Sequence, residues 1–202
     1  MVQALRPRVY LAGPDVFLRD PLAMANAKKH ICQQYGLEGV FPLDNAIDLQ
    51  NLSPPAQGVA ISRSNEELMR SCDAVIANMT PFRGPSMDVG TAFEMGYMRA
   101  LGKLAVGYTN VKSNFFSRVA AFIRQFFKQP IRKTEPQRYE DPLGMAVENL
   151  NLTDNLMLDG AVMHSGGRII RESVPRQGQY TALTGFEKAV RLAAEKLTKP
   201  TG

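Results

Sequence analysis

The 202-residue sequence predicts an α/β fold: a parallel sheet with helices on both faces. Three observations predict it. Short β-branched and aromatic runs end in Gly, Pro or Asp; segments of helical composition follow them; and the two kinds alternate regularly from residue 7 to residue 109. With 45% hydrophobic and 21% charged residues, the chain suits a single domain over 1–202 with a substantial core.

PRVYLAG (7–13) reads as a first strand, stopped by the Gly13-Pro14 turn. PLAMANAKKHICQQY (21–35) reads as a helix, with Pro21 suited to its first turn and Gly36 to its stop. GVFPLDNA (39–46) gives a second short strand that dissolves at Pro42 and Asp44-Asn45. A polar loop to about Gly58 follows, long enough to suggest function. A helix is expected over 59–72, with Val59, Ala60, Leu68 and Met69 on its apolar face, and then DAVIANM (73–79) as a buried strand. After the loop TPFRGPS, Ser86 is the expected N-cap of a helix from Met87 to Leu101, closed by Gly102. KLAVGYT (103–109) is the fourth strand. From 113 to 140 the pattern changes to a basic, aromatic-rich helical insertion. A helix is expected near 141–150, then NLTDNLMLDGAV (151–162), a glycine turn, and a final helix from Thr181 to Leu197.

Several function classes are excluded at this level. No apolar stretch approaches the roughly 20 residues of a membrane helix. MVQALRPRVY meets a proline and two arginines before an apolar run could serve as a signal peptide, which predicts a cytoplasmic location and no membrane partner. Cys32 and Cys72 form no CxxC motif and read as buried thiols. His30 and His164 share no ligand spacing, so no metal and no cofactor are expected. The net charge of +5 lies mainly in 118–138 and 168–176, and a solvated face or an attraction for phosphate-bearing metabolites accounts for it. No nucleic-acid partner is expected. The motifs GxGxxG, GxxxxGK[ST] and GxSxG are all absent, which removes the main support for dinucleotide, P-loop and serine-hydrolase readings.

The remaining polar candidates fall just after strands: Asp15 after the first, Asp44-Asn45 after the second, Asn78 and Thr80 after the third. In a parallel sheet these ends share one edge, so the residues can converge. Asp88 and Glu94 differ by about 240° around their helix, so both reach one ligand only if Asp88 acts from the helix tip and Glu94 from its side. Gly90, one turn before Glu94, either clears space for a ligand at that carboxylate or allows close helix–strand packing.

VYLAGPDVF near the start, FPLDN at 41–45, SCDAVIANMTPFRGPSMDVGTAFEMGYMRALGK at 71–103 and DNLMLDG at 154–160 resemble, in order, the nucleoside 2-deoxyribosyltransferase family. The resemblance implies a flavodoxin-like α/β subunit that exchanges the base of a 2′-deoxyribonucleoside with a free nucleobase. It makes Glu94 the nucleophile, Asp88 the residue that binds the sugar hydroxyls and Tyr10 the residue that orients the nucleophile. Asn155 and Met157 match a segment that reaches into a neighbouring subunit's site, which implies a homo-oligomer with a shared active site. Asp15, Phe17, Asp44, Asn65 and Gly90 join the expected substrate-binding set. The chain departs from the family pattern at Asn65, where an aspartate contacts the base in many members, and at Ala46, where some bacterial members have a base-reading glutamine. An amide cannot act as a general acid, so Asp15 or Asp44 is offered as the proton donor, and purines as the preferred bases. Two alternatives stand beside base exchange: a 2′-deoxynucleoside 5′-monophosphate N-glycosidase and a nucleotide-binding module without catalysis.

Overall fold

The computed structural model describes residues 6–198. The first five residues of MVQALRPRVY, which bear on the signal-peptide expectation, lie outside that range. Five parallel strands, β1 (Arg8–Ala12), β2 (Glu38–Val40), β3 (Ala74–Asn78), β4 (Leu104–Thr109) and β7 (Ile169–Arg171), form one sheet in the order β2-β1-β3-β4-β7. The helices are α1 (Pro21–Gln34), α2 (Pro54–Arg70), α3 (Val89–Ala100), α4 (Phe115–Phe127), α5 (Leu156–His164) and α6 (Thr184–Leu197). A hairpin of β5 (Arg132–Glu135) and β6 (Arg138–Glu140) stands outside the sheet.

This is the flavodoxin-like arrangement, and its chain path explains where a ligand can enter. From β1 the chain passes outward through α1 to β2, then crosses through α2 to β3 on the other side of β1. The loops after β1 and β3 therefore leave in opposite directions and open a crevice at the carboxyl ends of the strands. Because the strands are covered on both faces, they are almost uniformly apolar: β3 is buried at all five positions. On one face Val9, Leu11, Ile76, Val106 and Tyr108 pack with α1 and α6 through Ala25, Cys32, Phe186 and Val190. On the other, Tyr10, Val75 and Ala77 pack with Met69 of α2, Met95 and Met98 of α3 and Val162 of α5. Each thiol lies in one of these layers, and burial pushes Cys32 up to about 12 and Cys72 up to about 11.

Four expectations are corrected. Helix α2 begins at Pro54, which with Pro55 supplies the preset φ of a first turn, so Gly58 lies inside the helix and the preceding loop is shorter than its composition suggests. Ser86 is not the cap of α3. Asp88 takes that place, its carboxylate accepting from Thr91 N at 2.9 Å, while the Ser86 hydroxyl donates to Asp154. No helix forms over 141–150: Asp141 Oδ1 instead accepts from the backbone of Leu143 and Met145 and closes a turn. The insertion is a helix followed by a hairpin, and the fifth strand β7 is one that the sequence did not announce.

Candidate active site

Tyr10 lies in the middle of β1 with its ring fully buried against α3. Its hydroxyl donates to Glu94 Oε1 at 2.7 Å across 84 residues of sequence. Helix α3 is aimed so that this bond forms: Met95 and Met98 anchor it in the same layer as Tyr10. Burial, opposed by the Tyr10 hydrogen bond and reinforced by the nearby Asp88 carboxylate, pushes Glu94 up to about 7. Burial and the Glu94 carboxylate raise Tyr10 well above its ordinary value, so it remains a donor at every working pH. No cation forms an ion pair with Glu94 among the described residues, and its Oε2 has no hydrogen-bond partner there.

Asp88 sits at the tip of α3 as expected. One of its oxygens, Oδ2, accepts from Thr91 N and, at 3.0 Å, from the Thr91 hydroxyl. The structure decides between the two readings of Gly90. A Cβ there would meet no strand atom within 4 Å, but it would lie 3.1 Å from Asp88 Oδ2. The glycine therefore leaves room beside the Asp88 carboxylate and is not what brings helix and strand together.

The loop after β1 adds an aromatic wall. Phe17, 56% exposed, stacks on Phe82 at 5.4 Å and 10°, Tyr180 meets Phe82 edge-on, and the Arg83 guanidinium lies 4.6 Å from the Phe82 ring and 5.1 Å from that of Phe17. Exposed aromatic rings at a crevice offer a stacking surface to a planar ligand. Asn65 projects from α2 with its Oδ1 buried and without a hydrogen-bond partner, a vacant acceptor in a place where such atoms are normally satisfied. Beside it, Asn45 donates to Ser64 Oγ at 2.9 Å.

Asp15 and Asp44 are held differently. Asp44 caps its own turn, Oδ2 accepting from Phe41 N at 2.8 Å, and its other oxygen is paired with Lys29. Asp15 is 1% exposed and pairs at 2.7 Å with Lys28, equally buried, whose ammonium lies over the rings of Tyr108 and Phe186. The close approach needs Gly13: a Cβ there would fall 2.3 Å from Asp15 Oδ2 and 2.8 Å from Asn78 Cβ. Asp15 is thus held in the interior by one oxygen, Oδ2, on the Lys28 ammonium, while its Oδ1 is buried without a hydrogen-bond partner. Asn155 caps α5, its Oδ1 accepting from Met157 N at 3.0 Å and its amide donating to Glu148 Oε1 at 2.8 Å, while Met157 is 71% exposed. Among the described residues no group of three or more His, Cys, Asp or Glu is placed to hold a metal, and no helix is long and apolar enough to cross a membrane.

The family model for nucleoside 2-deoxyribosyltransferases matches residues 9–157, a span that runs from the strand bearing Tyr10 to the helix start bearing Met157. The chain belongs to this family. A 2-deoxyribosyltransferase of Leishmania mexicana is 30% identical and superposes with a TM-score of 0.54, covering 75% of this chain and 85% of its own. An uncharacterized protein of Schizosaccharomyces pombe is 33% identical over 167 residues, 80% of this chain and 79% of that protein. A conserved protein of Enterococcus faecalis, 16% identical with a TM-score of 0.53 over 93% of this chain and 98% of its own, shares the fold. Family and fold support a deoxyribosyltransferase-like activity.

Sequence reasoning missed Phe82, Arg83, Tyr180 and Lys28. A lysine in an otherwise amphipathic helix reads as solvated, and nothing in the loop TPFRGPS announces that its phenylalanine will meet Phe17.

Proposed function

We propose that the protein exchanges the bases of 2′-deoxyribonucleosides through a covalent ester on Glu94. The observation that carries this reading is the Tyr10–Glu94 hydrogen bond at 2.7 Å, which fixes one oxygen of the carboxylate and leaves the other without a hydrogen-bond partner among the described residues. In the first half-reaction the C1′–N bond breaks, its electron pair passes to the base, and Glu94 Oε2 bonds to C1′ as oxocarbenium character develops. The base takes up a proton and leaves. In the second, a nitrogen of the incoming base attacks C1′, the ester bond breaks and its electron pair returns to the Glu94 carboxylate, and the base releases its N–H proton, balancing the one taken up by the first base, so two inversions give retention. Asp88, at the helix tip with Gly90 leaving it uncovered, binds the sugar hydroxyls. Phe17 stacks the base, and Asn65 reads its edge; an amide that both donates and accepts suits a purine.

A second copy completes the site in this reading. Met157, Leu156 and Ala92 line a groove between α3 and α5, on helices that also expose Val89, Phe93 and Met163, and in this reading a partner seated on this face brings its own α5 start to the site. The second reading, hydrolysis of a deoxynucleoside 5′-monophosphate, is favoured by a cleft of about 660 Å³ beside the loop after β3, whose lining includes Arg83 and Arg176 and no carboxylate.

Incubation with deoxyinosine plus adenine, and separately with a deoxynucleoside monophosphate in water, followed by chromatography, separates these readings. Exchange without net hydrolysis is expected. Base release only from the monophosphate replaces the first reading by the second, and silence in both across a panel of bases removes catalysis.

A further inference from the structure

We propose that Arg118, carried by the inserted helix α4, is a positioning residue for the site: it clamps Asp154, which ties the start of α3 to the start of α5. This rests on the reading of Asp88 and Asn155 given above.

Asp154 has a side chain with no exposure to water, and it is used on all sides. Its Oδ1 accepts from the Ser86 hydroxyl and, at 2.8 Å, from Asn155 N; its Oδ2 accepts from Met87 N at 2.9 Å. One carboxylate therefore fixes the two residues that precede Asp88 and the residue that caps α5. A buried charge of this kind needs a cation. The ion pair it has is with Arg118, 9% exposed in its side chain, at 3.3 Å from Oδ2.

The guanidinium does more than balance charge. Its Nε donates to Pro85 O at 2.7 Å, one terminal nitrogen to Ser113 O at 2.6 Å and the other to Thr153 O at 2.7 Å. A planar fork with several fixed donors can span three carbonyls on three separate segments; an ammonium cannot. The root of α4 is fastened to the same strip, with Phe115 N donating to Leu152 O at 3.0 Å and Asn114 to Asn151 at 3.2 Å. Behind Asp154, Asp159 accepts from the backbone of Thr153 at 2.9 Å and of Asp154 at 2.8 Å, so the strip is held from the α5 side as well. The insertion thus has two parts. Its exposed hairpin and the outer face of α4 hang free of the site, whereas its first two turns hold the β3–α3 loop and the approach to α5 in one piece.

The test compares Arg118→Met, Arg118→Lys and Asp154→Asn with the unaltered protein, and with Phe126→Ser on the outer face of α4 as a control expected to keep full exchange. Each is assayed for exchange from a 2′-deoxynucleoside and from its 2′,3′-dideoxy analogue. The expected result is a loss of up to about 10²-fold in kcat/KM for the 2′-deoxynucleoside, mostly in KM, with a clearly smaller loss for the analogue. Discrimination between the two then falls, because the analogue keeps only the 5′-hydroxyl and lacks the 3′-hydroxyl contact that misplaced Asp88 no longer makes. Arg118→Lys should recover charge but not discrimination. Equal losses on both sugars, or unchanged discrimination, overturn the proposal. Amide hydrogen exchange reads the clamp without activity: in the variants, residues 85–88 and 153–157 should exchange faster together. Loosening confined to 113–118 overturns it, whether or not the unaltered protein exchanges bases. Silence of the unaltered protein in the exchange assay overturns only the functional reading on which the clamp's purpose rests. If Arg118→Met does not fold, Arg118→Lys and Asp154→Asn carry both measurements.

Discussion

Two carboxylates are withdrawn from water on opposite faces of the same sheet, and opposite means keep them there. Asp15, on the side of α1 and α6, meets the Lys28 ammonium at 2.7 Å beneath two aromatic rings. Glu94, on the side of α2 and α3, meets a neutral phenol and has Asp88 near enough to push its proton affinity further up. A compensated charge is quiet: the Lys28 ammonium balances Asp15 through one of its oxygens, beside the Gly13–Phe17 turn. An uncompensated one is poised, since the approach of a centre that develops positive charge relieves it. The difference teaches that burial alone does not mark a reactive acid; the company of a cation, or its lack, does.

The comparison breaks most decisively at Glu94 itself. Glu94→Ala is expected to abolish base exchange while the melting curve and circular dichroism remain those of a folded protein; retained turnover removes the nucleophile. At the other carboxylate the expectation is reversed. Lys28→Met leaves Asp15 buried and unpaired, a loss of roughly 3–5 kcal/mol measurable by denaturant unfolding, and a loss below about 1 kcal/mol would mean that the pair is not dry.

Stability should also distinguish the two acids by sign. The folded chain holds the Glu94 proton up to about 7 while the ordinary value is 4.5, so this carboxyl favours folding at acid pH and that contribution is lost as pH rises through about 7. Glu94→Gln is therefore expected to stabilise the protein at about pH 8, by on the order of 2–3 kcal/mol, and to change little near pH 4. Thermal melts at the two pH values check this. Smallest in energy but sharpest in assignment is Tyr10→Phe. The acid limb of kcat/KM should lie near pH 7, falling toward acid as Glu94 becomes protonated. Loss of the phenol removes the one contact that favours the carboxylate, worth roughly 1.5–3 kcal/mol for a bond to a charged group. The limb then moves to higher pH by about one to two units; a limb that stays in place assigns it to another residue.

Much of this was legible in the amino-acid order. The strands ending at Ala12, Val40, Asn78 and Thr109 announce themselves because parallel strands covered on both faces are apolar runs, and α1 and α3 carry turn and stop residues within reach of their actual ends. Glu94, Tyr10 and Asp88 could be named because the sequence around them resembles a family. What could not be read depends on distant partners. Ser86 and Asp88 are both good caps, and the choice between them was made by Asp154, 68 residues away from Ser86, which claims the serine hydroxyl. Strand β7 is three residues long and flanked by Arg168 and Glu172, so its pattern is too short to register until β4 pairs with it. The β5–β6 hairpin, with β5 exposed throughout, has no apolar alternation to reveal it.

The two thiols, each closed into a sheet layer and held protonated by burial, have a practical consequence. Alkylating and electrophilic reagents find no thiolate at neutral pH, since Cys32 and Cys72 are 0% and 1% exposed. A substrate analogue that stalls on the protein, seen as one added mass on the intact chain, is therefore not diverted by sulfur. The modified peptide can be searched for an oxygen ester from the start, and the protein can be labelled at an introduced cysteine without first removing its own.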